Sequence, residues 1–185
     1  MIVFVAGSTG VLGRRLVDRL ADRGHDVVGL VRDDAGAERV RERGGRPRYG
    51  DVLEPAGLRE AAEGADVVVH AATAIPTGRR PSAADRERND RVRIEGTRTL
   101  LDAADAVGAD RVVLQSVVWV ARRPDGRPFD ETAEPNPDRT TRSALDAERL
   151  LVHGAGERGL ERVRERWLDE GTIRESGDGY EWAEA

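Results

Sequence analysis

The sequence predicts an α/β domain built on a doubly wound parallel sheet with helices on both faces. Three observations carry that expectation. Short apolar runs alternate with helical stretches along most of the chain. Two of the runs, Val67-Val68-Val69 and Val112-Val113-Leu114, are continuously apolar, as in strands covered on both faces. The first run leads into a glycine-rich turn and then an amphipathic helix, the arrangement that opens a βαβ unit. Right-handed crossovers then give the strand order 3-2-1-4-5, with a ligand crevice where the order reverses.

Taken in order, strands are expected near Ile2–Ala6, Val27–Val31, Arg46–Gly50, Val67–His70 and Val112–Gln115. Helices are expected near Val11–Arg23, Ala35–Arg43, Pro55–Glu63, Ala83–Val107 and Thr141–Val152. Pro55 suits a first helical turn, which leaves Glu54 at the cap. Between Arg122 and Arg139, five Pro and Gly positions (Pro124, Gly126, Pro128, Pro135, Pro137) mark a polar loop. After Gly154 the chain is charged and glycine-spaced, with a single helical candidate at Leu160–Trp167 and no evident β-rich run. The expected organisation is a nucleotide-binding domain over 1–153 and a helical or irregular tail over 154–185, with the sheet ending at the fifth strand. No internal repeat is evident.

Composition narrows the chemistry. The 185 residues suit one domain with a real core. The formal net charge of -5, with Arg interleaved among Asp and Glu, argues against a nucleic-acid surface. No run approaches the roughly 20 apolar residues that span a bilayer, and the start does not read as a signal peptide. The expected compartment is the cytoplasm, and a homo-oligomer stays open. There is no cysteine, so thiol catalysis and disulfides are excluded. His25, His70 and His153 match no metal-ligand spacing, so no metal site is expected. All 30 basic residues are Arg.

The turn Gly7-Ser8-Thr9-Gly10-Val11-Leu12-Gly13 carries the sharpest functional signal. Gly7 allows a tight turn, Gly10 lets backbone approach phosphates, and Gly13 lets the helix pack against the strand. The helix N-terminus then offers free N–H groups to a pyrophosphate. Without a ligand, the same residues make an ordinary tight turn. Arg32 follows the second strand, where NAD-binding chains carry an acid for the ribose 2′-OH and an Arg accommodates the 2′-phosphate of NADP. NADP is therefore preferred over NAD, with Asp33 and Asp34 available as caps of the next helix. Asp51 follows the third strand and is either an adenine acceptor or a helix cap.

At the end of the fourth strand, small residues Ala71, Ala72 and Thr73 would let a cofactor lie against the backbone. His70 reads as a packed strand-end histidine more than as a catalyst. Ser116 ends the fifth strand on the same rim and is the candidate catalytic hydroxyl, its alternative being to satisfy loop backbone. Trp119 reads as a core aromatic more than as a pocket lining. Arg79 and Arg80 read as solvated, though an anionic substrate would suit them.

These segments together resemble the extended short-chain dehydrogenase/reductase superfamily, in particular its NAD-dependent epimerase/dehydratase branch. The resemblance rests on V-A-G-S-T-G-V-L-G-R-R-L (Val5–Leu16), G-D-V (Gly50–Val52) and A-D-V-V-V-H-A-A-T-A-I-P (Ala65–Pro76). It continues through Asn89–Ala104, R-V-V-L-Q-S-V-V-W-V (Arg111–Val120) and S-A-L-D-A-E-R-L-L (Ser143–Leu151). It implies a Rossmann-type fold and bound NAD(P). It also implies a cofactor site at Gly7, Thr9, Gly10, Val11, Leu12, Gly13, Arg32, Asp51, Val52, Ala71, Ala72 and Thr73.

The family's Tyr-x-x-x-Lys pair does not carry over. Thr140 takes the Tyr place and Ala144 the Lys place. Val117 falls on the family's strand-five hydroxyl position and Arg93 on its helix Asn, with Asn89 a turn earlier. The expected function is that of an NAD(P)-binding protein like an oxidoreductase or epimerase, acting on a carbonyl or hydroxyl of a sugar-like or other small-molecule substrate. The alternatives are a non-catalytic NADP(H) sensor and a shortened remnant of such an enzyme.

Overall fold

The computed structural model describes residues 1–76, 81–130, 132–154, 173–176 and 179–182. Five strands, β1 (Ile2–Ala6), β2 (Asp26–Val31), β3 (Arg46–Tyr49), β4 (Val67–His70) and β5 (Arg111–Leu114), form one parallel sheet in the order β3-β2-β1-β4-β5. Helices α1 (Val11–Asp22), α2 (Asp34–Arg41), α3 (Pro55–Ala61) and α4 (Ala83–Val107) fill the crossovers, and α5 (Arg142–Gly154) follows β5. The predicted fold class and strand order hold, and element ends differ by a residue or two.

Strand alternation decides which layer each side chain enters. Val3 and Val5 of β1 join Val27, Val69 and Val17 on the α1 face. Phe4 and Ala6 join Leu30, Val68, Leu58 and Leu100 on the face covered by α3 and α4. Phe4 is fully buried, and burying such a side chain contributes about 1.5–3 kcal/mol. Parallel register brings Ala6, His70 and Leu114 level, so the loops after β1, β4 and β5 share one rim of the sheet. The strand order reverses between β1 and β4 at that rim, the place where open α/β sheets take their ligands.

Local chemistry fixes the helix ends. Asp33 caps α2 by accepting from the Gly36 N–H at 2.6 Å. Ser82 and Asp85 form a reciprocal capping box at the start of α4, and Gly108 ends that helix at φ 70°. At the β3 edge, Arg48 Nη1 donates to the Ala61 and Glu63 carbonyls, both at 2.9 Å, closing the end of α3.

Three expectations need correction. Strand β5 is not covered on both faces, because it is the sheet edge and Val113 remains 49% exposed. Trp119 is not a core aromatic. It lies on a 3-10 turn (Val118–Ala121) and is 64% exposed. The tail does contain β structure: β6 (Ile173–Ser176) and β7 (Gly179–Trp182) pair antiparallel as a separate two-stranded ribbon. The helical candidate Leu160–Trp167 and the pair Arg79 and Arg80 lie outside the described residues.

Candidate functional site

The turn after β1 is built on close backbone contacts. Gly7 adopts φ 86°, and a β-carbon there would lie 2.5 Å from Ala72 N and 2.6 Å from Ala71 O. The glycine turn therefore rests directly on the chain leaving β4, which brings Gly7, Ala71 and Ala72 together. A β-carbon on Gly13 would lie 2.0 Å from the Gly7 carbonyl oxygen, so α1 starts as close to the turn as backbone allows. Ser8, 1% exposed, donates through Oγ to the Leu30 carbonyl at 2.8 Å and ties the turn to β2. Thr9 reaches toward the start of α2, its Cγ2 3.4 Å from where a Gly36 β-carbon would sit.

Gly10 is the N-cap of α1 and no side chain caps the helix. Its first turn carries no acidic residue. Val11 and Leu12 are 70% and 42% exposed, unusual for large apolar residues opening an amphipathic helix. An uncapped N-terminus concentrates partial positive charge and free N–H groups, the complement of an anion. The exposed Gly10, beside an uncapped helix start at the sheet's carboxyl rim, fits a dinucleotide pyrophosphate.

Around the β2 and β3 ends, the two acids after Arg32 are engaged. Asp33 caps α2, and Asp34 Oδ1 accepts from the Tyr49 hydroxyl at 2.6 Å. That bond raises the Tyr49 pKa above its ordinary value. Arg32 is exposed and forms no ion pair among the described residues. Asp51 accepts from the Leu53 N–H at 2.9 Å, a turn two residues on. The Val52 side chain is buried in the core and its carbonyl accepts from Thr99 Oγ1.

His70 is 2% exposed. Its Nδ1 accepts from the Ala72 N–H at 3.3 Å, which leaves Nε2 to donate to the Val92 carbonyl, also at 3.3 Å. Burial pushes its pKa down to about 4, the Val92 hydrogen bond opposing. His70 is therefore neutral near pH 7 and fastens the β4 exit to α4. Asn89, 7% exposed, does similar work by accepting from the Ala74 N–H at 3.0 Å. Thr73 stays exposed on the same loop.

On the β5 side, Ser116 turns toward α5. Its hydroxyl donates to Glu148 Oε1, a partner the sequence reading did not foresee. At the position of the family Tyr, Thr140 donates its hydroxyl to Asp138 Oδ1 at 2.7 Å, and Ala144 in the Lys place is buried. Sequence reading also missed a cluster between α4 and α5. Ser143 donates to Asp90 Oδ1 at 2.6 Å, while Arg93 Nη1 donates to the Ser143 hydroxyl and the Thr140 carbonyl, each at 3.3 Å. The only hint in the sequence was that Arg93 departs from the family Asn. No group of His, Asp and Glu among the described residues has the arrangement of a metal site. No helix among them is long and apolar enough to cross a membrane.

Comparison with known proteins gives a consistent result. Residues 7–161 match the NAD(P)H-binding family. The 3-diazoavenalumate denitrifying reductase of a Streptomyces species is 38% identical over 162 residues, covering 82% of this chain and 52% of that protein. A 4-hydroxy-2-methyl-3-oxo-4-farnesyl-3,4-dihydroquinoline-1-oxide ketoreductase from Stigmatella aurantiaca is 37% identical over 137 residues, covering 74% of this chain and 39% of that one. A short-chain dehydrogenase/reductase superfamily protein from Agrobacterium tumefaciens, solved with bound NAD, superposes with a TM-score of 0.68. It is 31% identical and covers 86% of this chain and 46% of that one. The chain thus spans about half, or less, of the length of the proteins it matches. With the glycine cradle, the strand order and these matches together, the chain belongs to the NAD(P)H-binding family, within the short-chain dehydrogenase/reductase superfamily.

Proposed function

We propose that this chain is the dinucleotide-binding part of an NAD(P)-dependent oxidoreductase acting on a carbonyl or hydroxyl group, with NADP preferred. The observation that carries this reading is the uncapped start of α1 at Gly10, packed through Gly13 on the Gly7 turn, which itself rests on the β4 exit. Backbone N–H groups of the Thr9–Gly13 turn would hold the pyrophosphate. Exposed Arg32, with both following acids engaged elsewhere, would take the 2′-phosphate. Asp51 and Val52 would border the adenine, and Ala71, Ala72 and Thr73 would bound the cofactor with little side-chain bulk. When bound, the nicotinamide supplies hydride transfer. The ketoreductase relative supports a carbonyl substrate, and the denitrifying reductase relative, named for a diazo compound, supports reduction without pointing to a carbonyl.

For proton handling, this chain offers Ser116, with Glu148 accepting its hydroxyl proton. Glu148 orients that hydroxyl, and the Ser116 lone pairs remain available to a substrate O–H. A second reading, a non-catalytic NADP(H) sensor, is favoured by Thr140 and Ala144 standing where the family carries Tyr and Lys. Parallel calorimetric titrations with NADP+ and NAD+ test the binding claim. Tighter NADP+ binding supports it, and no binding of either overturns it. NADPH consumption with a carbonyl panel then separates the catalyst from the sensor.

A further inference from the structure

A cavity of about 730 Å³ lies between the amino-terminal half of α4, the start of α5 and the segment after β5. Ile75, Arg93, Val117, Trp119, Arg139 and Thr140 are among the residues that line it. Its charge is unbalanced. Five arginines (86, 91, 93, 98 and 139) border it, against Glu87, Asp90 and Glu95, and Glu95 is already paired with Arg91 at 3.0 Å.

Arg93 is the unusual member. It is half-buried, yet no carboxylate touches it among the described residues. Asp90 reaches it only through the intervening Ser143 hydroxyl. Both of its hydrogen bonds use Nη1, so Nε and Nη2 make none to the described residues. Burial holds its pKa below the usual guanidinium value, with the Asp90 charge opposing. A partly desolvated guanidinium without a direct counter-charge is costly, and a planar oxyanion matches its open edge in a two-bond fork. The rest of the lining supplies an apolar counterpart. Ile75 and Trp119 are 54% and 64% exposed, and both border the cavity. Exposed indole and aliphatic surface lining the same cavity as a cation with no carboxylate contact among the described residues suits a flat apolar body with an anionic head.

We propose that this cavity binds a small aromatic or similarly flat apolar anion, its carboxylate or phosphate held by Arg93 and its body against Trp119 and Ile75. The assignment rests on the oxidoreductase reading, as the substrate subsite of that site, because Asn89 of the lining also holds the β4 exit loop.

The test uses the full chain and three probes, benzoate, phenyl phosphate and the neutral benzamide, followed by calorimetry and by NMR shifts of the Trp indole N–H signals. At least one anion should bind about tenfold or more tightly than benzamide, as expected for a charge-assisted hydrogen bond. The favoured anion identifies the head group. Arg93→Gln should abolish the preference, Arg93→Lys should retain part of it, and Trp119→Ala at its exposed position should weaken all three probes. Equal binding of anions and benzamide by the parent chain overturns the proposal, whether or not Arg93→Gln folds. So does an unchanged preference in a folded Arg93→Gln. NADP+ affinity of Arg93→Gln is measured in parallel. Absence of NADP+ binding by the parent chain, with the preference for an anion intact, would sink the oxidoreductase reading and leave the anion site standing.

Discussion

Gly13 and the Gly7 carbonyl oxygen are so close that a β-carbon on Gly13 would lie 2.0 Å from that oxygen, and 2.9 Å from Ser8 Cα. Only backbone lies on the other side of the contact, so no side chain can move aside. Gly13→Ala should destabilise the fold by about 1–3 kcal/mol, lowering the unfolding midpoint by roughly 2–4 °C for each kcal/mol. Gly10 contrasts with it. A β-carbon there would meet only the Gly7 oxygen, at 3.2 Å, and the residue is exposed. Gly10→Ala should keep its midpoint within about 2 °C and lose dinucleotide affinity, because the methyl occupies the approach to the α1 N–H groups. Calorimetry of both variants checks the pair. A stable Gly13→Ala would show that α1 does not depend on this contact.

Arg32 offers a charge with no ion-pair partner among the described residues, while Asp33 and Asp34 are held by Gly36 and Tyr49. Arg32→Gln should weaken NADPH binding by about 10-fold or more and leave NADH binding nearly unchanged, the size expected for hydrogen bonds to a charged phosphate. Parallel titrations read this ratio. Equal losses for both cofactors would place Arg32 away from the 2′ position.

His70 should make stability depend on pH. Its folded pKa of about 4 lies below the ordinary imidazole value of 6.5, so the unfolded chain takes up the proton first. The contribution is complete above about pH 6.5 and falls by about 1.4 kcal/mol per pH unit down to about 4, where it levels off. Between pH 7.5 and pH 5 the loss is about 2 kcal/mol. His70→Gln stays neutral throughout that window and should flatten this part of the profile. Urea unfolding at the two pH values, on parent and variant, measures the difference. An identical pH dependence in the two would remove His70 as its cause.

These cases show what the sequence could carry. Although the turn's contacts with Ala71 and Ala72 and the His70 bond to Val92 are long-range, the glycine spacing, the Asp33 cap of α2 and the inward face of His70 depend only on residues a few positions away or on the pleat of one strand. Local pattern is enough for them. Strand order followed from the crossover rule, because each helix returns the chain in one sense. The contacts of Ser116 were not legible, since Glu148 is 32 residues further on and its approach depends on how α5 rotates against β5. Ser143 and Arg93 are separated by 50 residues and meet only through the packing of α4 on α5. Trp119 was misplaced because composition says that indoles are buried, whereas a 3-10 turn past the sheet edge has no layer to enter. The β6–β7 ribbon was missed because each strand spans only four residues, too short for alternation to stand out from charge.

The Ser116–Glu148 bond separates a catalytic hydroxyl from a structural one. If the hydroxyl only satisfies Glu148, Ser116→Ala leaves a half-buried carboxylate short of a donor and costs about 1–3 kcal/mol, with dinucleotide affinity unchanged. If Ser116 also serves a substrate, Ser116→Ala should lower kcat/KM by at least about 100-fold on whichever carbonyl compound the chain reduces, as for other positioned acid–base groups. Glu148→Gln distinguishes the two further. An amide can still accept the serine hydroxyl but cannot take up its proton, so stability should hold within about 1 kcal/mol while any proton transfer through Ser116 slows. Turnover that survives both substitutions, with NADP+ affinity intact, would remove Ser116 from the chemistry and leave it as the fastening between β5 and α5.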